Sequence, residues 1–324
     1  ARVTIVQGEA PELVDDSRLP EVVDATFTTL RFDDTSARTF ATWTLWGNHP
    51  EALDGDNQAV TSDYPHYLRL RLEGEYPGST AVFSAGSLGG LMNPLHIVGC
   101  PDAQGQPTCR PGTFELAEYI GRGLGDKVVA ALGGAGPQAD VSLTLDRRSF
   151  LMGSGNGGFA AALTLGAIDR QLFHADGRPF TRGEAQSVML VDLLEGRALI
   201  QSEVNVLGVG PLEILFVPGE LYPELWLEAA PGVSRAERPE GGDYPDAPLD
   251  PPLSSYLVRG TLRAIVNQAN DSLGYIIPKS QFDQVAPFAY GRSSDQYGEQ
   301  NSNGPDTAPA IHEAVQAMLG ARPQ

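Results

Sequence analysis

The apolar residues of this chain fall in short runs, and glycine or proline closes most of them. That punctuation rules out long coiled coils and membrane-spanning helices, which need sustained periodicity or roughly 18 consecutive apolar residues. It favours brief strands joined by turns, with a few helices between them. Strand-like alternation covers 25–32 and 39–46, and Asp33-Asp34-Thr-Ser36 between them reads as a hairpin turn. Further strands are expected at 81–84, 141–145, 187–192, 198–205 and 212–217. Leu116, Ile120, Leu124, Val128 and Leu132 recur at helical spacing, which predicts a helix over 113–132 stopped by Gly133-Gly134. Other helices are expected to end within 67–73, to start at Leu221, and to cover 259–270 and 308–319. Strands and helices are mixed throughout and no linker divides the chain, so a single α/β domain over 1–324 is the simplest account.

Two segments stand outside this pattern. Gly153-Ser-Gly-Asn-Gly-Gly158 superficially resembles a phosphate-binding loop but lacks the Lys-Ser/Thr ending, so it reads as a flexible surface loop. Residues 231–254 are acidic and rich in proline and glycine, and read as a long irregular loop.

With 41% hydrophobic and 19% charged residues, the chain can bury a full core. Its 41 acids against 22 bases give a net charge of −19. Such a surface repels phosphate backbones and anionic membranes, which excludes nucleic acid as a partner. The two cysteines, Cys100 and Cys109, lack the second pair that a zinc cluster needs. They read as a local disulfide clamping an exposed loop, which points to an exported protein.

The chemistry-bearing residues stand at turns. Among five histidines, His49 follows an apolar strand directly in Leu45-Trp-Gly-Asn-His-Pro-Glu51. Fixed by the following proline, it is placed to be a rigid ligand, although a capped turn histidine has the same pattern. Phe216-Val-Pro-Gly-Glu220 likewise takes a strand through a tight turn and presents a carboxylate; the helix dipole alone could account for that glutamate. Tyr275 lies between Gly274 and Pro278, where packing alone could account for it. Spacing does not join the three.

A family resemblance does. Gly47-Asn-His-Pro-Glu51 with Thr61-Ser-Asp-Tyr64, Phe83-Ser-Ala-Gly-Ser-Leu-Gly-Gly90, Val217-Pro-Gly-Glu220 and Ser272-Leu-Gly-Tyr275 with Pro278 occur in the order of the motifs of neutral (non-lysosomal) ceramidases. The chain resembles the catalytic domain of that family from Arg18 to Tyr297. The resemblance implies stacked mixed β-sheets flanked by helices, an αββα-like fold. It implies a zinc ion held by His49, Glu220 and Tyr275, with Tyr290 hydrogen-bonding the oxyanion. The implied reaction is hydrolysis of an N-acyl amide bond in ceramide or a related N-acyl lipid. The family's first motif, a His-x-His that supplies a ligand and a proton-handling histidine, is expected upstream of residue 1, either in the same protein or as a separate polypeptide. The family's serine segment is altered: Gly86 takes the serine's place, flanked by Ser84 and Ser87, and Gly89-Gly90 replaces a Gly-Asp pair.

Two other readings follow from the same residues. Ala85-Gly-Ser-Leu-Gly89 is a variant nucleophile elbow, which with Asp192 and His312 would make a serine hydrolase using Ser87. The altered motifs would also suit an exported scaffold or assembly protein with a degenerate ceramidase-like site.

Overall fold

The computed structural model describes residues 1–55, 57–97, 100–101, 106, 109–139 and 141–320. The fold is mixed α/β, with several sheets flanked by helices. By internal contacts the chain forms two compact units. The first is Ala1–Leu143, Gly208–Ile214 and Gly260–Asn267, and the second is Thr144–Leu207, Leu215–Arg259 and Gln268–Gln324.

The first unit is built on a four-stranded sheet in the order Arg2–Glu9, Thr26–Asp33, Thr39–Trp46, Thr80–Ala85. The first three strands are antiparallel and the last runs parallel to Thr39–Trp46, pairing Trp46 with Ala85. The expected hairpin turn forms because the Asp34 carboxylate accepts the backbone N–H groups of Ser36 and Arg38 at 2.8 and 3.0 Å. Between the parallel strands runs the helix Tyr64–Glu75, which packs on Phe114–Gly133. These helices cross closely enough that a Cβ at Gly121 would lie 2.3 Å from the Tyr64 carbonyl oxygen. Leu68, Leu72, Leu116, Ile120, Leu124 and Val128 are fully buried there. Each such side chain contributes about 1.5–3 kcal/mol of apolar burial. Cys100 and Cys109 form the expected disulfide, with Cα atoms 5.3 Å apart; most of the loop between them lies outside the described residues.

A second sheet runs in the order Leu262–Val266, Leu212–Phe216, Leu199–Val209, Leu143–Met152, and the short strand Leu172–Phe173 also pairs with Leu199–Val209. In the second unit the helix Gly157–Thr164 rests on a core of Met152, Ala160, Leu172, Leu193, Ala198, Ile200 and Leu273. The helix Thr307–Leu319 forms as expected.

Three elements differ from the sequence expectation. Residues 259–270 hold the strand Leu262–Val266 instead of a helix: the run is short, ends in Ile265-Val266, and is stopped by positive φ at Gln268 and Asn270. Residues 187–192 lead into the short helix Leu190–Leu194 instead of a strand, because the Asp192 carboxylate accepts the Met189 N–H and caps it. No α-helix starts at Leu221. That residue pairs with Ile276, and only the 3-10 turn Pro223–Leu225 follows.

Candidate metal centre

The strand Leu212–Phe216 runs into Val217-Pro218-Gly219 and then Glu220, which belong to the second unit. The turn needs glycine, since a Cβ at Gly219 would lie 2.5 Å from the Gly274 carbonyl oxygen. Beyond it, Glu220–Leu221 pairs in parallel with Tyr275–Ile276, and Glu220 stands in register with Tyr275. Backbone bonds from Glu220 N–H to Gly274 (2.9 Å) and from Tyr222 N–H to Ile276 (3.1 Å) fix that register. Gln268 Nε2 donates to Glu220 Oε1 at 2.5 Å.

Tyr275 is 8% exposed. Tyr222 and Tyr297 meet its ring edge-on, with centroids 6.0 and 5.9 Å away. Burial, followed by the negative charge of Glu220, pushes its phenol well above the ordinary tyrosine range, and the two side chains share a hydrogen bond. A carboxylate and a neutral phenol oxygen are thus held together on a rigid strand pair. The turn before Tyr275 is equally constrained: Gly274 has φ 72°, and a Cβ there would fall 1.8 Å from the Asn301 carbonyl oxygen. Asn301 in turn accepts the Tyr275 N–H at 3.1 Å.

The glycine-rich stretch supports this block and is no flexible loop. Gly155 N–H donates to the Asn303 carbonyl at 2.9 Å, and Asn303 N–H donates to Leu273 at 2.9 Å. The Asn156 side chain caps Gly157–Thr164 and donates to the carbonyls of Gln300 and Ser302 at 3.0 and 2.8 Å. The glycines allow close backbone packing, a use that a phosphate-loop template does not capture.

In the first unit, His49 follows the strand Thr39–Trp46. Its backbone N–H (2.9 Å) and its Nδ1 (2.7 Å) both bond the Met92 carbonyl oxygen. A carbonyl only accepts, so Nδ1 carries a proton, and in the neutral ring the lone pair is then on Nε2. That is the tautomer of a histidine metal ligand oriented by a backbone carbonyl. Asp63, the downstream residue of the same motif, holds the turn after His49 by accepting the N–H groups of Ala52 (3.1 Å) and Leu53 (3.0 Å). Tyr64 donates its phenol proton to the Asn48 carbonyl at 2.6 Å.

Ser87 is fully buried, and its hydroxyl donates to Asp24 Oδ2 at 2.6 Å, a carboxylate partner instead of an imidazole. Position 86 has no room for a side chain: a Cβ there would lie 2.9 Å from Gly47 N. Asp192 pairs with Arg197, while His312 Nε2 meets the Tyr256 hydroxyl at 3.2 Å and burial lowers the His312 pKa. Tyr290 adopts φ 58° and donates its hydroxyl proton to Glu237 at 2.8 Å.

Of the expected ligands, Glu220 and Tyr275 are thus together in the second unit, and His49 belongs to the first. Among the described residues no group of three or more His, Cys, Asp or Glu side chains could hold a metal ion. Imidazole, carboxylate and phenol oxygen are donor types that zinc accepts. Gln268 on Glu220 and the Tyr222 and Tyr297 rings on Tyr275 had no sequence signal, because each contact joins turns far apart in the chain.

Among solved structures the chain is similar to the neutral ceramidase from Pseudomonas aeruginosa, with TM-score 0.58 and 14% identity over 100% of this chain and 54% of that one. A ceramidase complexed with C2 matches with TM-score 0.59 and 14% identity over 100% and 55%. The chain has a ceramidase-like fold. It spans about half the length of these structures. No protein-family model matches it, and no curated protein does.

Proposed function

We propose that the chain carries three ligands of a hydrolytic zinc site, His49, Glu220 and Tyr275, and that its substrate is an N-acyl amide lipid of the ceramide class. The observation that carries this reading is the registered pair of Glu220 and Tyr275 on a ceramidase-like fold. A bound zinc supplies polarisation of the amide carbonyl and a water of lowered pKa. In this reading, the Met92 carbonyl keeps the lone pair of His49 on Nε2. Gln268 orients Glu220, and Tyr222 and Tyr297 confine the ring of Tyr275. Tyr290 donates a hydrogen bond to Glu237 in the resting protein and turns that donor to the oxyanion during reaction. The reading also requires a fourth ligand and a general acid/base beyond these residues, and it takes the protein to be exported.

The test is zinc content together with hydrolysis of a fluorogenic ceramide by the full-length protein. Stoichiometric zinc, activity lost to a chelator and restored by zinc, and loss of both in Glu220→Gln would support the reading. Zinc-free protein that hydrolyses the substrate at full rate would overturn it.

A further inference from the structure

The segment that carries Tyr275 leaves the strand Leu262–Val266 through Asn267, Gln268 and Asn270, the last two at positive φ. On one side, Asn270, Asp271 and Ser272 line an open cavity of about 690 Å³. Polar contacts restrain the segment there, one of them from Asn270 Nδ2 to Asn205 Oδ1 at 2.8 Å.

Arg170 supplies others. Its guanidinium grips Asp271 with both nitrogens, Nη1 to Oδ1 at 3.0 Å and Nη2 to Oδ2 at 2.6 Å. Nη2 also donates to the Gln201 carbonyl at 2.7 Å, and the Ser202 hydroxyl donates to Asp271 Oδ2 at 2.8 Å. Asp271 is thereby tied to the strand Leu199–Val209, and its Oδ1 accepts the Ser272 N–H at 2.8 Å. Both side chains of the pair are about one-fifth exposed, 22% and 21%. The planar fork fixes direction as well as distance, which a lysine cannot do. Three residues after this anchor, the chain makes the Gly274 turn and presents Tyr275 beside Glu220.

We infer that Arg170 is a positioning residue for the metal centre: through its two-point grip on Asp271, it sets where the Tyr275 hydroxyl lies relative to the Glu220 carboxylate. This rests on the zinc reading above for its consequence and on the geometry alone for its cause. Loss of a partner that orients a metal ligand typically weakens metal affinity about 10–100-fold.

The experiment uses the full-length chain as wild type, Arg170→Gln, Arg170→Lys and Asp271→Asn, with Arg71→Gln as a control. Arg71 makes an ion pair of the same length, 2.6 Å, with Asp126 on the helices of the first unit. Zinc affinity is measured by competition with a chromophoric chelator, the visible spectrum is taken with cobalt in place of zinc, and amide hydrogen exchange of 272–276 is followed in metal-free protein. The expected result is a 10–100-fold loss of zinc affinity, an altered cobalt spectrum and faster exchange in Arg170→Gln and Asp271→Asn. Arg170→Lys should recover only part of each, and Arg71→Gln should match wild type in all three. If wild type binds zinc and Arg170→Gln binds it equally well with the same cobalt spectrum, the inference is wrong while the zinc reading stands. If wild type binds no zinc, the zinc reading fails, and the exchange rates decide the positioning role by themselves: unchanged protection at 272–276 overturns it.

Discussion

His49 is clamped at two points by one carbonyl, that of Met92, so its imidazole has lost the freedom a surface histidine keeps. Removing the ring should therefore cost zinc without costing the fold. In His49→Ala, bound zinc measured by elemental analysis should fall from stoichiometric to near zero with little change in Tm. His96→Ala should keep its zinc, since that exposed ring pairs with Asp15. The phenols give a second expectation at this scale. Tyr275 and the fully buried Tyr64 both have pKa values raised by burial, so the folded protein holds their protons more tightly than the unfolded chain does. The stability this gives is fully present below the unfolded value of about 10 and is lost as pH rises toward the folded values. Metal-free protein should consequently unfold in alkali above about pH 10, followed by circular dichroism, and Tyr275→Phe should move that midpoint upward. At this scale the sequence joined His49, Glu220 and Tyr275 only through a family resemblance. Their supports, Met92, Gln268 and Asp271, were hidden because a carbonyl, an amide and an ion pair from remote segments leave no periodic trace.

Elements are where turn chemistry and period decide the outcome. The helix Phe114–Gly133 was legible because its apolar stripe repeats over 20 residues. The strand Leu262–Val266 was not, since five residues fit either period and their partner lies at Leu212–Phe216. The glycines were visible but ambiguous: the same residue type serves a mobile loop and a tight backbone crossing. Gly274 settles which one holds before Tyr275. Gly274→Ala places a methyl group against the Asn301 carbonyl in a left-handed conformation, which costs about 1–3 kcal/mol for the backbone alone. The clash adds to that, so a marked drop in Tm and loss of zinc together are expected, measured by thermal unfolding and metal analysis. Gly86→Ser, which supplies the serine that the resemblance to ceramidases leads one to expect there, should destabilise by about 1–3 kcal/mol and gain no activity, because Gly47 fills the space where the side chain would go. Activity gained in that variant would show that the two backbones can part.

Over the whole molecule the governing quantity is charge. A net charge of −19 was plain in the sequence, and among the described residues no helix is long and apolar enough to cross a membrane. The division into two compact units was not legible, because each gathers three separate stretches of chain and nothing local marks their return. If the substrate is an N-acyl lipid, it is met at a surface, and the protein's own field sets how often. On anionic vesicles the repulsion should suppress hydrolysis at low ionic strength. It should weaken as salt shortens the screening length from about 30 Å at 0.01 M to about 8 Å at 0.15 M. On zwitterionic vesicles of the same ceramide content the rate should change little with salt. Initial rates on the two vesicle types across a salt series separate these cases, since the charge acts on encounter and leaves the chemical step untouched. A rate on anionic vesicles that is highest at low salt would mean that a local basic surface outweighs the net charge, and the lipid-facing side would then have to be sought among the arginines.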